Sequence, residues 1–252
     1  VQALAWSPDG TRLYTTPTGV AGLQAWDLTS YVSPATPIAA SGPAGAGIAT
    51  ATAVDPTTRT LAVATNQGQT WFLDLDSGRT RLSDRPKGAP VVSVAFADRG
   101  RLALTADAGG VLTVWDPATG SAIGDLTKPT RVETHSDVAR APVGPDGRTA
   151  ASFIDGYGLQ LVDVVSRRIG KPVYPDLGNQ SMFEVLGWSP DGRHVVIAAQ
   201  GVTFSPASGY TPGVWALVDP HDGRVVWRTL APEQVVAADA VFAEDARTIV
   251  LP

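Results

Sequence analysis

The sequence predicts an all-β fold of repeated four-stranded units on three grounds: a recurring tight turn, apolar runs of strand length on either side of it, and no sustained helical spacing. Six times an apolar run enters a short turn of the Ser-Pro-Asp-Gly kind and leaves as a second apolar run. The turns recur every 42 to 54 residues, close to the roughly 40–45 residues of a propeller blade. They occupy residues 7–10, 55–58, 97–100, 144–147, 189–192 and 243–246.

Within each unit four runs, which we call a to d, can be read in order. The third unit is the template, with its runs at residues 91–96, 101–105, 111–116 and 121–126. Many runs are almost continuously apolar, which is typical of strands covered on both faces by neighbouring sheets. We therefore predict a β-propeller of four-stranded antiparallel blades, with five complete blades and half of a sixth. The blades are expected at about residues 1–40, 48–83, 91–127, 138–174, 182–231 and 235–252.

The length of 252 residues and the hydrophobic content of 44% are sufficient for one domain over residues 1–252. The chain opens at Val1 directly on an inner strand, and its sixth unit has two strands only. These two features favour a fragment of a longer protein. We expect the ring to have an open gap or to be completed from elsewhere, because an unpaired strand edge promotes aggregation.

The charge balance argues against nucleic acid as a partner. With 19 basic and 24 acidic residues the net charge is −5, so no overall positive field attracts nucleic acid.

No apolar run approaches the roughly 20 residues that cross a bilayer, so membrane insertion is not expected. The absence of cysteine excludes disulfides, thiolate metal sites and a cysteine nucleophile. The compartment stays open, with the cytoplasm favoured and export possible.

Five units end strand c with an aromatic or aliphatic residue followed by aspartate, and Ser-Pro-Asp-Gly follows both Trp6 and Trp188. The five pairs are Trp26 and Asp27, Leu73 and Asp74, Trp115 and Asp116, Val162 and Asp163, and Val218 and Asp219. These motifs resemble the WD-repeat β-propeller family over essentially the whole chain. No Gly-His dipeptide precedes a strand a, so the hydrogen-bond relay of many family members does not carry over. Packing between blades is expected to supply the stability instead.

One segment, from Val214 to Trp227, also resembles the repeat of quinoprotein-type propellers, whose tryptophans dock neighbouring blades. A single copy does not indicate a bound quinone, and we expect no cofactor.

The residues that could carry chemistry are better explained structurally, and no catalytic, cofactor-binding or metal-binding residue is predicted. His135, His194 and His221 are isolated from one another and lack metal-ligand spacing. Residues 42–47 lack the lysine of a phosphate loop, and residues 74–78 lack the last ligand of a calcium loop. We assign structural repeat roles to the strand-c positions Trp26, Asp27, Asp74, Trp115, Asp116, Asp163 and Asp219.

The longest connections join strand d to the next strand a, or b to c, and both classes emerge on the same face. They span residues 40–47, 83–90, 127–137, 175–181 and 200–212. An elaborated loop face on a rigid scaffold is where a protein partner, or another domain of the parent chain, is expected to dock. The contact residues predicted there are Phe204, Tyr210, Arg131 and His135.

The function predicted is a non-catalytic protein-interaction or sensory scaffold. The resemblance implies the propeller region of a larger bacterial regulatory protein, since such propellers are often attached to signalling ATPases or kinases. Two alternatives remain open. One is a propeller enzyme, either a hydrolase or lactonase or a quinone-dependent dehydrogenase, with acidic residues at the channel mouth. The other is the propeller that gates a peptidase.

Overall fold

The computed structural model describes residues 3–6, 11–16, 24–27, 43, 45–55, 57–85, 88–128, 140–154, 158–178, 180–201, 213–231, 241–242 and 249–250. Every regular element among them is a β-strand, and within each sheet the strands that are consecutive in sequence pair antiparallel. The all-β propeller class is thus confirmed. In the described part of the chain no helix is long and apolar enough to cross a membrane. The chain divides into two compact units, Val1–Lys128 and Pro129–Pro252.

The described residues of the first unit form three sheets, in each of which the strands follow chain order. The first sheet has β1 Ala3–Trp6, β2 Arg12–Thr16 and β3 Gln24–Asp27. The second has β4 Ala49–Asp55, β5 Thr60–Thr65, β6 Thr70–Asp74 and β7 Thr80–Leu82. The third has β8 Val91–Ala97, β9 Leu102–Asp107, β10 Leu112–Asp116 and β11 Ser121–Asp125.

The part of the second unit that the structure describes also contains three sheets. The fourth sheet has β12 Thr149–Phe153, β13 Leu159–Asp163 and β14 Arg168–Ile169. The fifth has β15 Gln180–Trp188, β16 Val195–Gly201, β17 Val214–Val218 and β18 Val225–Leu230. The last is the pair β19 Val241–Phe242 and β20 Ile249–Val250.

Strand a of the fourth sheet is reduced to an isolated bridge between Val143 and Ala150 among the residues described from position 140 onward. Pro142 and Pro145 flank this bridge. Proline has no backbone N–H, so it cannot donate to a ladder, and this limits regular pairing here.

The second sheet buries both of its faces, as its apolar runs predict. On one face Leu61, Val63 and Leu73 form a cluster with Tyr14 of the first sheet. On the other face Ala62 and Phe72 pack with Val94, Ala103 and Trp115 of the third sheet. Alternation along a strand sends successive side chains to opposite faces, so one strand contributes to two interfaces.

The same arrangement joins the fourth and fifth sheets in the second unit. Phe153 and Leu159 lie in one buried cluster with Val185, Ile197 and Ala216. The rings of Phe153 and Phe183 stack with centroids 5.3 Å apart. Each such apolar side chain contributes roughly 1.5–3 kcal/mol when buried. The first three sheets therefore form one packed stack, and the fourth and fifth form another, and each stack can present surface residues in fixed positions.

Candidate functional site

The repeat aspartates at the end of strand c hold the turn into strand d. In each of four turns a carboxylate oxygen accepts a backbone N–H from two or three residues further on, at 2.8 to 3.1 Å. This is the usual reason that aspartate favours turns. The donors are Asp76 and Ser77 for Asp74, Ala118 for Asp116, Ser166 for Asp163, and His221 for Asp219.

At two of these turns the ionised form of the carboxylate is favoured. The backbone N–H of Ser77 is the main cause that lowers the pKa of Asp74 below its ordinary value. The pKa of Asp163 falls further, to about 2, mainly because Arg148 donates to it from two nitrogens, at 2.9 and 2.7 Å. Asp163 and Arg148 thus connect the c-to-d turn to the start of strand β12.

Replacing Arg148 with methionine should raise the pKa of Asp163 from about 2 toward the ordinary 3.8. Because the folded pKa is the lower one, the ionised carboxylate stabilises the fold above about pH 4, and this contribution disappears as the pH falls through 2. The pair is partly exposed, so we expect a loss of only about 0.5–1 kcal/mol at pH 7. Carboxyl carbon chemical shifts measured against pH would check the pKa. Arg193→Met, another exposed arginine, is the control; an unshifted Asp163 midpoint in Arg148→Met would contradict the assignment.

Two of the three histidines lie in described turns. The backbone N–H of His194 donates to Ser189 Oγ at 2.9 Å, and His221 occupies the turn capped by Asp219. His135 lies outside the described residues. In the described part of the chain no group of three histidine or acidic side chains is placed to hold a metal ion.

The junction between the second and third sheets, which we call the filled groove, contains the side chain of Arg85. This residue follows β7, and its guanidinium lies 5.7 Å from the centroid of the buried Trp115 ring. Arg85 Nη2 contacts Asp125 Oδ1 at 2.6 Å, and Nη1 donates to Thr113 Oγ1 at 3.3 Å. Trp115 Nε1 donates in turn to Thr105 Oγ1 at 2.8 Å. One arginine therefore connects two strands of the next sheet.

A cleft beside the fifth sheet, which we call the open groove, contains no comparable inserted side chain among the residues that the structure describes. It is a cleft of about 490 Å³ along the outer strand β18. Tyr174 is 69% exposed and Trp227 is 44% exposed. Its lining consists of Tyr174, Asp176, Asp222, Gly223, Arg224, Val225, Val226, Trp227 and Arg228.

Some charged residues of the open groove have a partner within the protein and others do not. Arg224 forms two long ion pairs, with Asp219 at 3.8 Å and with Asp222 at 4.0 Å. Asp176 accepts the backbone N–H of Gly178 at 3.3 Å. Arg228 is exposed and forms no ion pair with any residue that the structure describes. This guanidinium is therefore available to an anionic group from outside.

The residues predicted to contact a partner, Phe204, Tyr210, Arg131 and His135, lie outside the described residues. Of the structural positions, Trp26 and Asp27 lie in strand β3, and only their backbone is described. The structure places Trp115 between two sheets and places the other four aspartates in turns, as given above.

Sequence reasoning missed the open groove, although a signal was present. Strand β18 reads Val-Val-Trp-Arg-Thr-Leu, an outer strand that is more apolar than its position at a sheet edge warrants. It also missed a buried ion pair between Arg140 and Glu184, whose side chains are 22% and 9% exposed. The position of Glu184 within the apolar run of β15 could have indicated this pair, since buried charges are normally paired.

No family model matches the chain. Over 112 residues, 44% of this chain, it is 27% identical to the U3 small nucleolar RNA-associated protein 21 homolog of Schizosaccharomyces pombe. That match covers only 11% of the relative, so the chain spans a small part of its length.

Among solved structures, Kuenenia stuttgartiensis hydrazine synthase superposes on 86% of this chain with a TM-score of 0.67. The sequence identity is 15%, and 62% of the hydrazine synthase chain is covered, slightly less than two thirds. At this identity the likeness concerns the fold alone. The antiparallel sheets stacked within each unit and this superposition together show that the chain has a β-propeller fold.

Proposed function

We propose that this propeller is a non-catalytic protein-interaction scaffold. The observation that carries the proposal is the set of exposed apolar side chains on the outer strand β18, namely Val226, Trp227 and Leu230, with Tyr174 in the groove beside Trp227. Large apolar side chains grouped at the surface of a rigid scaffold are typical of a contact site. The similarity to a relative whose name describes an association, with an RNA in that case, supports a binding role. For this chain the net charge of −5 favours protein over nucleic acid.

A finer proposal follows from the resemblance to WD repeats. The propeller would serve as the partner-binding region of a larger bacterial regulatory or signalling protein. Its loop face, with Phe204, Tyr210, Arg131 and His135, would carry one contact surface. The support for this surface comes from the sequence, through the long d-to-a and b-to-c connections.

The test begins with partner proteins captured on the immobilised chain, which are then purified and titrated against it. We expect saturable binding, and the double variant Phe204→Ala with Tyr210→Ala should weaken it at least about tenfold, equivalent to about 1.4 kcal/mol. Val165→Ala, at an exposed apolar residue in the c-to-d turn of the fourth sheet, is the control and should bind normally. Unchanged affinity in the double variant would reject the loop face. Turnover of an ester, lactone or alcohol substrate by the purified chain would reject the non-catalytic role.

A further inference from the structure

Strand β18 is an unusual outer strand. It has six residues, whereas the outer strands β7, β11 and β14 have three, five and two. From Val226 onward every residue of β18 is exposed, and Leu230 is 66% exposed. Natural proteins usually keep sheet edges short or charged, because a long apolar edge recruits another strand. A strand of this kind is therefore suited to pairing with an added segment.

The backbone of β18 has hydrogen-bonding groups directed outward. Ala231 N–H donates to Gly213 O at 2.8 Å, so these two residues form a hydrogen-bonded pair at the end of the ladder. Antiparallel pairs alternate between bonded and non-bonded residues. The partners Val214 with Leu230 and Ala216 with Arg228 are consequently non-bonded pairs. The N–H and C=O groups of Leu230 and Arg228 thus face away from β17, toward the free edge, where no described strand pairs with β18.

Arg228 can be compared with Asp125, the charged residue on the outer strand of the filled groove. Asp125 lies opposite Thr113, and Arg228 lies opposite Ala216, in each case just beyond a register shift in the pairing of strands c and d. Both residues also follow the turn aspartate of their sheet, Asp116 or Asp219, by nine positions. Arg228 therefore occupies the position of Asp125.

The two grooves differ in what reaches that position. In the filled groove Asp125 receives the guanidinium of Arg85. In the open groove Tyr174 and Pro175, which follow the fourth sheet, lie against the turn glycine Gly223. The described residues of this segment supply no ion-pair partner to Arg228. Arg228 is a cation at the position where the filled groove has the anion Asp125. The group that complements Arg228 is therefore an anion.

We propose that an extended acidic segment of a partner protein adds to the free edge of β18 as a further strand. One of its carboxylates pairs with Arg228, and its backbone pairs with the outward groups of Arg228 and Leu230. Side chains alternate along an added strand, so neighbouring residues of the segment pack on Leu230 and, on the opposite face of β18, on Trp227. This inference rests on the proposed interaction function and assigns an occupant to the exposed strand β18, a surface separate from the loop face.

The test uses two fluorescein-labelled peptides, Gly-Ser-Thr-Val-Glu-Val-Glu-Val-Thr and the same peptide with lysine in place of both glutamates, titrated by fluorescence anisotropy against the full chain. We expect the acidic peptide to bind at least about tenfold more tightly than the basic one. Arg228→Glu should reverse this preference. Arg193→Glu changes an exposed arginine of the a-to-b turn of the same sheet and should leave the preference unchanged. Far-UV circular dichroism and thermal unfolding would establish that both variants fold.

A third peptide, the acidic sequence with all of its backbone amides methylated, separates strand addition from simple charge attraction. We expect it to lose at least about tenfold in affinity, since methylation removes the donors that an added strand needs. Equal binding of the methylated peptide, or an unchanged preference in Arg228→Glu, would overturn the proposal. Failure of both labelled peptides to bind up to about 1 mM would also overturn it. Self-association through β18 in sedimentation would identify a second copy as the occupant and overturn it as well.

The inference and the proposed function can fail separately. If the peptides fail while a purified partner still binds and depends on Phe204 and Tyr210, only the β18 surface is rejected. If the acidic peptide binds as expected while the loop variant has no effect, the interaction role stands and the loop face is rejected.

Discussion

Replacing Trp115 with alanine is expected to lower the free energy of unfolding by about 3–5 kcal/mol. The side chain is 2% exposed and lies in the cluster shared by the second and third sheets. Truncation removes this apolar contact and leaves a cavity, and it also removes the ring beneath Arg85. Urea unfolding followed by circular dichroism would measure the change. Since folded domains are stable by only about 5–15 kcal/mol, the loss is a large share of the total.

The matched control is Trp115→Phe, which keeps an aromatic ring but loses the donor to Thr105 Oγ1. We expect a smaller cost of about 1–3 kcal/mol, part of it from the unsatisfied Thr105 hydroxyl. Equal losses for alanine and phenylalanine would contradict a packing role and would indicate that the hydrogen bond dominates.

Replacing Arg140 with alanine is expected to cost about 3 kcal/mol, because it leaves the Glu184 carboxylate buried without its cation. Glu184 lies in β15, and Arg140 precedes the bridge residue Val143 of the fourth sheet. The ion pair therefore connects two sheets of the second unit. Chemical denaturation at pH 7 would measure the loss.

The control for this pair is the double variant Arg140→Met with Glu184→Leu, which replaces the ion pair with apolar side chains of similar size. We expect it to recover most of the stability, since a buried pair often contributes little beyond an apolar substitute. A double variant as unstable as Arg140→Ala would show that the two charges are not the reason for the loss.

The features that could be predicted from the sequence are those with local causes. Asp74 and Asp163 cap turns through backbone groups two or three residues away, so the type and spacing of residues are sufficient to indicate the turn. The apolar run of β5 likewise predicts burial on both faces, because alternate side chains of the strand contact the two neighbouring sheets. Fold class and turn positions depend on interactions of this kind.

The grooves could not be predicted because they depend on residues that are distant in sequence. Arg85 reaches Asp125 across 40 positions, and whether a side chain fills the groove depends on the path of the segment after strand d. Asp125 and Arg228 occupy equivalent positions with opposite charge, and the sequence alone does not show which of them has a partner. The buried pair of Arg140 and Glu184 likewise requires the spatial arrangement of two sheets.

The interaction role depends on a rigid scaffold, and rigidity here comes from apolar faces packed sheet against sheet. In the first unit Phe72 and Trp115 belong to the same cluster, although they come from different sheets. Leu73, the neighbour of Phe72, belongs to the cluster on the opposite face. Adjacent residues of one strand thus offer a matched comparison.

The most direct test is a double-mutant cycle on the free energy of unfolding. Phe72→Ala combined with Trp115→Ala should show a coupling energy of at least about 1 kcal/mol, since the two side chains share one packed cluster. Leu73→Ala combined with Trp115→Ala should be additive to within about 0.5 kcal/mol. Additive effects for Phe72 and Trp115 would contradict the account, because the second and third sheets would then not be held together through these faces.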